Sequence, residues 1–251
     1  GSNNTALGSQ ALSNNSTGVN NTALGYSALF SNSAGNNNTS VGRDALFSNT
    51  SGSENTALGH SSLYLNSVGN FNTAVGRDAL RNNTSGSQNT ALGYRTLYRN
   101  VGSFNTAFGS EALANNTSGG ENTSLGYRTL NTNVGGLNTA VGSSALEFNT
   151  SGSSNTAVGR LALRNNVASS NTAVGESSLG YNTSGSNNTA VGQNSLLLNS
   201  VGGQNSALGS QALRNNTSGS DNTALGYFSL YLNSVGNNNT SVGNEALRSN
   251  T

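Results

Sequence analysis

The sequence predicts an all-β protein, a parallel β-solenoid (β-roll) with one 16- or 17-residue repeat per coil and about fifteen coils. Three observations predict it. An Asn opens a repeat at positions 4, 21, 38, 55, 72, 89, 105, 122, 138, 155, 171, 188, 205, 222 and 239, with eleven spacings of 17 and three of 16. A unit this short cannot bury a core alone and becomes stable by stacking on its neighbours. The composition, 46 Asn and 33 Gly with no Pro, Cys, Met, Trp, Ile or Lys, is unlike that of a globular core. Asn-Gly and Asp-Gly, the dipeptides favoured by antiparallel hairpins, never occur, which favours parallel coiling.

The consensus is N-T-A-[VL]-G-x-x-[AST]-L-x-x-N-[TSV]-x-[GA]-x-x, and its first Asn, its first Gly, its Leu and its second Asn stand in every copy, as in Asn72, Gly76, Leu80 and Asn83. The stretch N-T-A-[VL] is short, half apolar and rich in small or β-branched residues, so it is read as a strand. Gly76, Gly93 and Gly109 end their strands, as turn positions that need φ > 0 or a close backbone approach. A second strand is expected over [AST]-L-x-x. The segment after it is a turn, and all three short copies lose their residue there, as in Asn100-Val101-Gly102, which is where length changes are tolerated.

Two structural ladders follow from stacking the copies: Asn72, Asn89 and Asn105 in one, Asn83, Asn100 and Asn116 in the other, each amide bonding the next coil. The large apolar residues Val75, Leu80, Leu92, Leu97 and Leu113 are expected to point into the coil. The small residues Ala74 and Ala79 would then form a strip along which chains approach closely. With two large apolar side chains per coil the core is thin.

The charges set the register. Asp78, Arg95, Glu111 and Arg128 occupy one column and alternate in sign if each repeat makes one coil, whereas a two-repeat coil would stack like charges. Arg160 then falls beside Glu176 and Glu147 beside Arg164, and the column Phe30, Phe47, Tyr64, Arg81, Tyr98 offers aromatic and cation-π neighbours. Such exposed pairs contribute about 0–1 kcal/mol each, so they report register more than stability. The whole chain, 1–251, reads as a single repetitive solenoid and, with both ends falling inside a repeat, as a fragment of a longer fibrous protein.

The string Asn72-Thr73-Ala74-Val75-Gly76-Arg77-Asp78-Ala79 resembles the head repeats of trimeric autotransporter adhesins, and is similar to repeats of bacterial surface proteins and phage tail fibres. The resemblance covers the whole chain. It implies a left-handed parallel β-roll, association of three chains, and a surface that binds matrix or host molecules. The longer period and the added L-x-x-N segment depart from that family.

Several chemistries are not expected. One His, His60, in a variable column cannot make a triad or a His-based metal site, the acids lack the spacing of calcium-binding rolls, and no cofactor is expected. Ten basic against nine acidic residues leave no footprint for nucleic acid. No apolar run reaches membrane-spanning length, so direct membrane insertion is not expected. Triplets such as Asn49-Thr50-Ser51 match a glycosylation acceptor. The expected role is non-enzymatic: a structural or adhesive repeat region of an extracellular fibre, surface adhesin or virion fibre, self-associating into a homo-oligomer (a trimer by resemblance) or fibre, or contacting a host surface or polymeric ligand at many points. The alternative is an ice-binding solenoid, suggested by the Thr that follows the first Asn in every copy but one, Ser206.

Overall fold

The computed structural model describes residues 1–250. They form two compact units, 1–123 and 124–250. The first carries β1 (Thr5–Leu7), β2 (Thr22–Leu24), β3 (Thr39–Val41), β4 (Thr56–Leu58), β5 (Thr73–Val75), β6 (Thr90–Leu92) and β7 (Thr106–Phe108). β8 (Thr123–Leu125) begins at the boundary, and the second unit continues with β9 (Thr139–Val141), β10 (Thr156–Val158), β11 (Thr172–Val174), β12 (Thr189–Val191), β13 (Ser206–Leu208), β14 (Thr223–Leu225) and β15 (Thr240–Val242).

Each unit is a parallel β-solenoid with one repeat per coil. In the first, β5 pairs with β4 and β6 in parallel with Thr73 opposite Thr56 and Thr90, and in the second β12 pairs with β11 and β13 with Thr189 opposite Thr172 and Ser206. The 16-residue step from Thr90 to Thr106 keeps the same register. The missing residue is absorbed in the turn after the second Asn, where the Asn83 amide reaches Gly86 O three residues on and the Asn100 amide reaches Gly102 O two residues on.

The segment expected as a second strand is a run of turns. Asp78 and Leu80 have φ of 59° and 50°, values a strand does not allow. Ala79 N–H donates to Gly76 O and Asn83 N–H to Leu80 O, closing two turns in one coil. The segment still stacks on its neighbours: Asp78 N–H donates to His60 O of the preceding coil, and Leu80 and Asn82 N–H donate to Thr96 O and Tyr98 O of the following one. Backbone donors are therefore satisfied between coils without a β conformation, as burial requires.

The expected facing of the first strand is corrected in the same way. Ala74 is fully buried, while Leu92 is 42% exposed and Val75 is half-buried on the outer side. Leu80, Leu97 and Leu113 are fully buried. The phase follows from Asn72, whose buried amide must face inward to reach Gly86 O at 2.9 Å; side chains alternate along a strand, so Thr73 faces out, Ala74 in and Val75 out. The large Leu80 fills the narrow interior from the turn side. Ala74 and Ala79, both fully buried, therefore line the core and cannot be a strip for chain association.

Candidate functional site

The interior is built on the two Asn ladders. Asn72 Nδ2 donates to Asn55 Oδ1 (3.1 Å) and to Gly86 O (2.9 Å), and its backbone N–H also donates to Asn55 Oδ1. Asn89 repeats this on Asn72 and Gly102, and Asn105 donates its N–H to Asn89 Oδ1 and its amide to Gly119 O. In the second ladder Asn83 Nδ2 donates to Asn66 Oδ1 (3.0 Å), Asn100 to Asn83 (3.1 Å) and Asn116 to Asn100 (2.8 Å), each also bonding its own turn carbonyl. All six side chains are fully buried. Gly86 O accepts from both ladders at once, which ties the strand side of the coil to the turn side. Buried polar networks whose members are all paired specify one arrangement and make any deletion costly. Stacked Asn ladders on a β-solenoid are the build of a structural repeat protein.

The same burial removes one site suggested by the sequence. Asn49 of the triplet Asn49-Thr50-Ser51 is fully buried and donates to Asn32 Oδ1 and Gly52 O, so the folded chain does not present it for glycosylation.

Gly76 has a φ of 129°, and a Cβ there would lie 2.5 Å from Gly93 O of the next coil. The corner thus needs Gly for conformation and for space. Gly93 and Gly109 repeat the conformation at 133° and 126°.

Outside, Asp78 sits among three guanidinium groups, with Arg81 at 3.3 Å, Arg77 at 3.7 Å and Arg95 of the next coil at 3.9 Å. Glu111 follows one coil on, its N–H bonded to Tyr94 O. In the second unit Glu147, expected in an exposed pair, is instead buried, and its two carboxylate oxygens are met by Arg128 at 3.2 Å and by Arg164 at 2.9 Å. Arg160 bonds Glu176 across adjacent coils, and this bond, with one from Gln193 and the nearby charge, holds the Glu176 carboxyl below its usual range. The rings of Phe30, Phe47 and Tyr64 stack at 5.0 and 5.1 Å, and Arg81 lies over Tyr64 at 5.0 Å. In that column the ring faces cover one another, which leaves edges, not faces, for a ligand. His60 is exposed. Among the described residues no three His, Cys, Asp or Glu side chains group to hold a metal ion, and no helix is long and apolar enough to cross a membrane.

The surface with a composition of its own is the outer face of the strands. Every strand places a Thr, or Ser206, in one row and a Val, Leu or Phe in the other, and neither row contains a charged residue. Phe108 is its one aromatic residue. Among the described residues the strand Thr hydroxyls make no hydrogen bond within the chain, whereas the turn Thr50, Thr183 and Thr217 hydroxyls donate to Ser67 O, Ser200 O and Ser234 O. The face repeats about every 4.8 Å from coil to coil. A dry cover would gain about 1–2 kcal/mol for each aliphatic side chain it finished burying, and would lose about 1–3 kcal/mol for each hydroxyl left without a partner. The two nearly cancel, so the face suits a partner that offers a hydrogen bond at every strand. Sequence reasoning singled out the Thr row but missed the aliphatic row beside it, because it assigned those residues to the core; the signal was the first Asn, which, once turned inward, fixes the phase of the three residues after it.

Comparison with protein families, with curated proteins and with solved structures returned no match. The resemblance to adhesin head repeats rests on the repeat motif alone.

Proposed function

We propose that this chain is the structural and adhesive repeat region of an extracellular fibre or surface adhesin, and that the strand face is its contact surface. The observation that carries the proposal is the uniformity of that face: unspent Thr hydroxyls and half-exposed aliphatic side chains recur on every strand, while the flanking columns vary from Tyr and Arg to Ser and Asn. One strand offers a weak contact. Many strands held in register by the Asn ladders offer the same contact repeatedly, and binding strengthens by effective concentration once the first has formed. The partner is then an extended surface with a repeat of its own.

The test is adsorption of the intact chain to a panel of hydrated solids, namely crystalline cellulose, chitin, collagen-coated beads and ice, beside the double variant Thr156→Lys/Thr189→Lys. Both positions are half-exposed and make no side-chain bond within the chain, so the variant should fold normally. Retention of the wild type and loss of the variant on at least one solid is the expected result. Equal retention of both on all of them would sink the proposal.

A further inference from the structure

Resting on that reading of the strand face, we infer that its periodic partner is ice. The chemistry of the face selects among extended surfaces by what it lacks and what it repeats. Charged residues are absent from both rows, which removes the means to hold a charged glycan or a mineral. Flat sugar polymers are gripped through ring faces, and the rows contain a single aromatic residue, Phe108.

What the face does supply is a hydroxyl that both donates and accepts on each strand, with a hydrocarbon side chain two residues away on the same side. Hydroxyls of this kind accept no geometry from the chain, because they bond to nothing in it, and they are held in line by a backbone whose strands pair Thr to Thr. Water frozen into a lattice presents donors and acceptors in equal number at a fixed spacing. The coil repeat of about 4.8 Å is a parallel-sheet spacing, near the shortest oxygen repeat along a face of hexagonal ice. The aliphatic row keeps liquid water from hydrogen-bonding across the face, so that the waters between its side chains take the cage-like arrangement from which a lattice grows. A second copy of the chain is the competing occupant. It would have to pair every hydroxyl while burying both aliphatic rows, in a strip only three residues wide.

The experiment freezes a dilute solution of the intact, fluorescently labelled chain slowly onto a cold probe and measures label in the ice against the remaining liquid, together with inhibition of ice recrystallisation. The wild type should enter the ice and hold crystals small. Thr156→Lys/Thr189→Lys should be excluded like an ordinary serum protein, with an unchanged melting curve, and Arg43→Ser, which changes a flanking exposed charge, should behave as wild type. Exclusion of the wild type from ice would overturn the inference; if the chain then still adsorbs to cellulose, chitin or collagen through this face, the adhesive reading stands without it. Sedimentation showing a dimer or trimer that the double variant loses would also overturn it, by placing a second copy on the face.

Discussion

The least ordinary residue is the Leu of the turn segment. Leu80, Leu97, Leu113 and their equivalents hold φ near 50°, a conformation that costs an L-residue roughly 1–2 kcal/mol, and those from Leu29 to Leu230 are fully buried, which returns about 1.5–3 kcal/mol. Burial outweighs strain, so Leu persists where Gly would relax the backbone. Leu97→Ala should lower stability by about 2–5 kcal/mol, whereas Leu92→Ala, on the outer face, should stay within about 1 kcal/mol; denaturant melts compare them, and equal losses would contradict the inward and outward assignment. A β-branched replacement such as Leu163→Ile should cost more than its unchanged volume suggests, because αL is least tolerant of branching at Cβ. Glu176 adds a weaker effect of pH. Its folded-state pKa is lowered by Arg160, so its contribution is complete above the ordinary carboxylate pKa and fades as pH falls through the lowered one. Exposure keeps that contribution small. In Arg160→Gln the Glu176 titration, followed by NMR, should move up toward its usual range.

At the scale of the element, strand and turn are joined by amides more than by apolar packing. Asn83→Ala would leave Asn66 Oδ1 without its ladder donor and remove one of two donors to Gly86 O. The expected loss is at least about 2 kcal/mol, and a melt within error of wild type would show that water replaces the ladder without penalty. The turn after the second Asn is more tolerant. Inserting one Ser after Val101 lengthens a short copy to the common 17 residues and should change stability by less than about 1 kcal/mol. One residue inserted between Ala107 and Phe108 would instead turn the strand's side chains to the opposite faces. Circular dichroism and a loss of cooperative melting should separate the two insertions.

At the scale of the whole molecule, stability is a sum of similar coils and the interfaces between them. Deleting Thr189–Asn205 removes one whole repeat of the second unit and brings Asn188 directly before Ser206, which preserves strand, corner and both ladders. That variant should retain its spectrum and melt a little below the parent. Deleting about half of a repeat breaks every column at once, and cooperative folding should be lost. If the two deletions behaved alike, the coil would not be the structural unit. The contact face scales with coil number too, so removing one coil should weaken adsorption in a graded way, while the paired Lys substitutions interrupt the face and weaken it sharply.

Much of this was legible in the sequence for a simple reason: a repeat states its period openly. The position of the strand, the need for Gly76, the two Asn columns and the one-repeat register all follow from spacing, from Gly chemistry and from the alternation of Asp78 with Arg95. The three short copies located the tolerant turn. Tertiary structure alone decided which side of the strand is the inside. Hydrophobicity assigns Val75 and Leu92 to a core, but a coil of 16 or 17 residues closed around two Asn side chains and a Leu has room opposite them only for Ala or Ser. Tertiary structure also decided that Asp78 to Asn83 is a chain of turns, because its left-handed residues are stabilised by hydrogen bonds to the coils on either side. Those partners are a full repeat away in the chain, and no local propensity reports them.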